Sequence, residues 1–339
     1  MTYDIEPDVR NWSPAWSQQL TDHPTALCWH ENGRRLAAAS LGGEAVTLDA
    51  KDGSLLGQPI WHEGGALCVG WRRGELITGG QDGQVTVGGE RLGFDGWIND
   101  LAVSADGQIA IAHGRHVSIA GAGRIGSRST TVTSVAWHPS ELRVAAGSFA
   151  SVTWISAADG SSTDVELAWG GAVAALRIAE DSGWAAAGIR GDWSYLWRLD
   201  SNDSVLALPV GTSTGHHVGF SADGSQLASA TPKMSAVFDL ESPDPLGQPA
   251  GQWLSSVGAP TALAWHPMTD LLVTAVSIGT GGRDNGLLAW RPRRAPIPTG
   301  FVTTPRPVSH LAWAPDGHTL AIATVDGTIS IEANPFDVD

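Results

Sequence analysis

The sequence predicts an all-β fold made of repeated small sheets, and three observations carry that prediction. Gly occurs 42 times and Trp 16 times in 339 residues, so turns and large flat side chains are both abundant. Charged residues make up 16% of the chain, and only Lys51 and Lys233 are lysine, so few segments read as solvated helix. Above all, one alternating apolar phrase recurs along the whole length.

Each copy reads as an alternating apolar strand, a turn, an Ala-rich strand, a short turn and a third alternating strand. The copies start at Ala26 (ALCWHENGRRLAAAS), Ala66 (ALCVGWRRGELITGG), Leu101 (LAVSADGQIAIAH) and Ser134 (SVAWHPSELRVAAGS). They continue at Ala175 (ALRIAEDSGWAAAG), His217 (HVGFSADGSQLASAT), Ala262 (ALAWHPMTDLLVTAVS) and His310 (HLAWAPDGHTLAIAT). Taking Trp29, Val69, Val103, Trp137, Ile178, Phe220, Trp265 and Trp313 as equivalent gives spacings of 34 to 48 residues, with no room for a skipped copy. A looser fourth segment, such as GQPIW ending at Trp61, follows each third strand. Four short antiparallel strands per repeat is one blade of a β-propeller, so the expectation is a single eight-bladed propeller over residues 1–339. Residues 1–25 precede the first copy, and the eighth lacks a fourth strand. Ala15–Leu20 is therefore expected to complete the last blade and remove an exposed sheet edge.

The turns carry a family resemblance. Ser104-Ala-Asp-Gly107, Ser221-Ala-Asp-Gly224 and Ala314-Pro-Asp-Gly317 occupy first turns, and Asp82-Gly83 and Asp326-Gly327 occupy second turns. With strands such as LASAT and LAIAT, these motifs resemble the WD40 repeat over nearly the whole chain. The resemblance implies a propeller that binds other proteins; seven blades is that family's usual number, while the count here favours eight. No Trp-Asp dipeptide occurs, although Trp197 and Trp290 stand where its Trp belongs, and Gly215-His216 lies too close to Phe220 to be the usual Gly-His. The family's polar tetrad is thus expected to be mostly absent, with packed apolar side chains holding the blades.

Charge and targeting signals narrow the function. The net charge of −15 argues against nucleic acid or an anionic membrane as a general partner. The N-terminus lacks a basic and an apolar region of a signal peptide, and no apolar run reaches a membrane span. Cys28 and Cys68 make no disulfide framework. A cytoplasmic location follows, and the sequons at Asn11 and Asn202 carry no weight.

In propellers of this kind, the segments entering the first strand and the loops between strands two and three share one face. Here that face receives Trp61, Trp97, Trp169 and Trp253, then His113, Arg115, His116, Arg190, Asp192, Trp193, Lys233 and Met234, and the loop GTGGRDNG with Arg283. Trp and Arg dominate binding hot spots, so Trp61, Trp97, Trp169, Arg190, Trp193, Trp253 and Arg283 are the expected partner-binding residues. The same tryptophans would also suit packing between neighbouring blades. Trp29, Trp137, Trp265 and Trp313 alternate within first strands and belong to the core.

His30, His138 and His266 recur in first turns on the opposite face, which points to a structural role. His62, His216, His217 and His310 stand at the starts of first strands near the central channel. They are the candidates for a second reading, a metal or small-molecule binder, although no ligand motif specifies a metal. Gly211-Thr-Ser-Thr-Gly215 fits the pattern of a nucleophile elbow but joins two β blades where a helix is required. GTGGRDNG likewise lacks the strand–helix setting of a phosphate loop. The sequence thus predicts no catalytic residue and no cofactor. It points to a scaffold, or a subunit of a larger assembly, that binds a protein or peptide.

Overall fold

The computed structural model describes residues 8–168, 170–179, 183–200, 205–213, 217–243, 249–254, 258–277 and 285–336. Among them there is no helix, and the strands form eight sheets of four strands, one of which gains a fifth. The first strands are Pro24–Trp29, Ala66–Arg72, Ile98–Val103, Ser134–Trp137, Val173–Ala179, His217–Phe220, Ala259–Trp265 and Val308–Trp313. Each packs against the first strands of the blades before and after it, and the eighth against the first, so the sheets close into a ring. Eight blades are present, as the repeat count predicts.

The second strands explain how the sheets pack so closely. RLAAAS, RVAAG, WAAAGI and TLAIAT are buried on both faces because each lies between two neighbouring blades. Alanine lets the sheets approach while branched neighbours fill the gaps. At Gly79 the approach is tighter still: a Cβ there would lie 2.4 Å from Cγ2 of Ile98 on the next blade.

Indole N–H groups tie adjacent blades around the channel. Trp29 donates to the Ala312 carbonyl at 3.0 Å, Trp71 to Cys28 at 3.2 Å, Trp137 to Ala102 at 3.1 Å and Trp265 to Gly219 at 2.9 Å. Trp71 is therefore the counterpart of Trp29, which corrects the choice of Val69. Blade 2 extends its first hairpin by pairing Arg72 with Glu75, and turns through Arg73 and Gly74 at φ of 48° and 85°. Two positive φ angles make a tight two-residue turn where other blades use longer ones. Cys28 and Cys68 consequently differ by two positions along their strands.

A second ring of bonds runs the opposite way round. Thr25 Oγ1 donates to the Ala66 carbonyl at 2.6 Å, Asn99 Nδ2 to Val132 at 2.9 Å, Thr133 Oγ1 to Val173 at 2.5 Å and Thr261 Oγ1 to Val308 at 2.7 Å. Thr25, Asn99 and Thr261 sit at β-bulges near the start of the first strand, which turn the extra residue toward the next blade.

The N-terminal segment closes the ring as predicted. Trp16–Gln19 pairs antiparallel with Thr328–Ala333, Trp16 facing Ile331 and Gln19 facing Thr328. One strand was not expected. Asp8–Asn11 runs parallel to Pro298–Thr304 and makes blade 7 five-stranded. Trp12 then enters the core between the last two blades and donates to Ser330 Oγ at 3.0 Å.

Candidate functional site

The register decides which loops share a face. Pro24 pairs with Ser40, Ala66 with Gly80 and Val308 with Thr324, so the start of each first strand lies beside the end of the second. Segments before first strands and loops between strands two and three therefore emerge together, on what we term the loop face. Backbone bonds knit these segments. His62 N–H donates to the Gly43 carbonyl at 2.7 Å, Phe94 to Gly83 at 2.8 Å, Gly114 to Trp97 at 3.1 Å, Ala150 to Gly171 at 2.8 Å and Arg190 to Ala172 at 2.8 Å. Loops held in this way lose little freedom on binding.

On this lattice stand large exposed apolar side chains. Trp61, Trp97 and Trp253 are 49%, 56% and 48% exposed. Phe149 is exposed too, and it was missed by the sequence reading although it sits between strands two and three of blade 4. The next residue, Ala150, adopts φ of 57°, a conformation alanine rarely takes. Leu41 and Val325 complete the apolar set. Arg190 is exposed, whereas Trp193 is half-buried and packs against the core shared by blades 4 and 5. Trp169 and Arg283 lie outside the described residues.

Two histidines of this face are used structurally. His62 is buried, with Nδ1 at 3.0 Å from Asp82 Oδ1 and Nε2 at 2.8 Å from Thr78 Oγ1. Burial pushes the Asp82 carboxyl up, but bonds from His62 and from the Gln84 and Glu63 amides outweigh it and hold the pKa below the ordinary value. In blade 3, His113 places Nε2 at 2.8 Å from Ser118 Oγ and Nδ1 at 3.0 Å from the Asp95 carbonyl. Burial lowers its pKa. Fragments of a polar network thus persist where little was expected. Blade 2 keeps His62, Thr78 and Asp82, and in blade 7 Trp290 donates to Thr274 Oγ1 at 2.8 Å.

The channel brings His217 and His310 toward each other. Burial is the main reason both pKa values fall, that of His310 to about 4. His310 Nδ1 lies 3.1 Å from Ser309 Oγ. His62 is not free to join them, since both of its ring nitrogens are bonded within blade 2, and His216 lies outside the described residues. Asp100, at the equivalent position of blade 3, accepts bonds from Ser134 Oγ at 2.9 Å and from the Val135 amide at 3.0 Å. Burial nonetheless raises its carboxyl above the usual range. Among the described residues, no three His, Cys, Asp or Glu side chains converge as a metal would need.

The apparent nucleophile motif begins inside a strand. Leu206–Ser213 is the outer strand of blade 5, with Ser213 opposite Gly191, and the next described segment is again a strand, His217–Phe220. Among the described residues no helix follows the motif, as a nucleophile elbow requires. Most of GTGGRDNG lies outside the described residues.

Comparison with known proteins agrees with this architecture. The family described as WD domain, G-beta repeat (WD40) matches residues 298–331, which span the last strand of blade 7 and most of blade 8. Among solved structures, the crystal structure of the computationally designed protein Ika8 is similar at a TM-score of 0.71 and 16% identity, covering 94% of this chain and 99% of that one. At that identity the likeness is one of fold. Among curated proteins, none matches the sequence. No helix of the described residues is long and apolar enough to cross a membrane. The chain is thus an eight-bladed β-propeller that matches the WD40 repeat over residues 298–331 and resembles it in the turn motifs of other blades.

Proposed function

We propose that the protein is a non-catalytic interaction scaffold in the cytoplasm, and that it holds a partner protein or peptide on the loop face. WD40 propellers generally serve as such scaffolds. The observation that carries the reading for this chain is the exposure of Trp61 and Trp253 at outer-strand ends and of Trp97 and Phe149 on loops, all held by backbone hydrogen bonds. Large aromatic surfaces left in water on a rigid base are what a partner would cover, at low entropic cost. Arg190 adds an exposed cation to the same face. The thiols of Cys28 and Cys68 are free, which suits a reducing compartment.

The test compares wild type with the triple variant Trp61→Ser, Trp97→Ser and Trp253→Ser. Both are used to capture proteins from the source cell, and retained proteins are identified by mass spectrometry. A partner held by wild type and lost by a variant with unchanged melting supports the reading. If the same proteins remain on both, the loop face is not where they bind.

A further inference from the structure

The opposite rim of blades 7 and 8 holds a cleft of quite different chemistry. It encloses about 360 Å³ and is lined by Arg10, Arg291, Arg294, Thr299, Phe301 and Phe336. Three separate stretches of chain build it. Arg10 comes from the unexpected N-terminal strand, and Phe336 follows the third strand of blade 8. Arg291 and Arg294 come from the turn after the third strand of blade 7, where the Arg294 amide donates to the Arg291 carbonyl at 2.8 Å. That turn sorts its arginines. Arg293 points to blade 6, at 3.1 Å from Asp223 and 3.9 Å from Glu241, while Arg291 and Arg294 line the cleft.

The charge balance inside the cleft is unusual for this molecule. The chain carries a net −15, yet among the described residues three guanidinium groups and no carboxylate line this cavity. The nearby acid is Glu332, whose Oε1 lies 3.9 Å from Arg10 Nη2 and whose Oε2 accepts the Ser13 amide at 2.9 Å. Arg10 is further anchored by donating to the Pro335 carbonyl at 2.7 Å. Among the described residues, Arg291 and Arg294 have no ion-pair partner. Setting two unpaired cations beside a third that shares one carboxylate costs free energy unless an anion joins them. The planar fork of arginine matches phosphate oxygens two at a time. The volume falls within the range of small-molecule sites and is too small for a folded partner.

We propose that this cleft binds a small phosphate monoester, with the phosphate held by Arg291, Arg294 and Arg10 and an apolar or aromatic body resting on Phe301 and Phe336. The site is separate from the loop face and does not depend on the role assigned there.

Calorimetric titration of the full chain with phenyl phosphate tests it, with inorganic phosphate and benzoate as comparison probes. Phenyl phosphate should bind saturably with one site, more tightly than either comparison probe. Arg294→Gln should weaken it roughly tenfold, and the double variant Arg291→Gln/Arg294→Gln further. Arg293→Gln, which removes the same charge outside the cleft, should leave the affinity unchanged. Both cleft arginines reach solvent, and melting of each variant without ligand confirms its fold. No saturable binding to wild type, equal weakening by Arg293→Gln, or tighter binding of benzoate than of phenyl phosphate would each overturn the proposal.

Discussion

The two faces of the propeller use the same residue types for opposite ends. On the turn face, His30, His138 and His266 are buried in first turns, each accepting backbone amides through Nδ1: Asn32 at 3.1 Å, Glu141 at 3.0 Å and Met268 at 3.1 Å. Each ring also meets a tryptophan edge-on, His30 with Trp71, His138 with Trp154 and His266 with Trp313. Other blades solve the same turn with Ser-Ala-Asp-Gly, where Ser221 Oγ donates to Asp223 at 2.6 Å and accepts the Gln226 amide at 3.0 Å. On the loop face, Trp61, Trp97 and Trp253 stand in solvent instead. What separates the two outcomes is position. A tryptophan ending a first strand has a neighbouring blade to cover it, whereas one at the start of a first strand or the end of an outer strand has none.

The sharpest way to break this contrast is to remove a tryptophan of the first kind. Trp29→Ala should cost about 3–5 kcal/mol in chemical denaturation, since it empties a buried site and removes the indole bond to Ala312 across the ring closure. A loss under about 1 kcal/mol would show that the ring tolerates a gap there.

An intermediate effect is expected on the loop face where a polar group is used structurally. Asp82→Asn should cost about 1–2 kcal/mol at neutral pH by weakening the bonds to His62 and the local amides. Because the folded pKa lies below the unfolded value, the carboxylate's contribution is complete above that value and is lost as pH falls through the folded one. The gap between wild type and variant should therefore close below pH 3.8. A gap that stays constant into acid would mean that the charge is irrelevant and only shape matters.

The smallest change should come from Trp97→Ala, within about 0.5 kcal/mol of wild type, because the side chain is largely exposed. Trp193→Ala should cost more than Trp97→Ala, since Trp193 packs against the blade 5 core. Thermal melts of the two variants side by side measure that difference directly.

The repeat, the eight-fold count and the closing strand were legible in the sequence because each rests on alternation over many residues. The alignment of blade 2 was not, because a hairpin lengthened by one pair keeps its alternation and shifts its register by two. Asp8–Asn11 was invisible for another reason. Its residues DVRN show no apolar alternation, and they form a strand only because the outer edge of blade 7 supplies partners nearly 300 residues away. On the candidate face, residue type does not tell an exposed side chain from a packed one. Trp97 and Trp193 look alike in sequence, and Phe149 lacked a repeated counterpart to draw notice. The arginine cleft was beyond reach, since its three cations come together only when the N-terminal strand docks.

That docking also makes the ring depend on two strands that precede its first blade. Asp8 meets Gly300 and Trp16 meets Ile331, so these two strands find their places only once partners about 300 residues further along are present. Until then the edge strands of blades 7 and 8 lie open, and each is a ready template for another chain. The segment acts as a buckle with two tongues, so a deletion between Asn11 and Trp16 would strain both at once. The vulnerable state of this molecule is the one in which the other blades are formed and the eighth still lacks its outer strand.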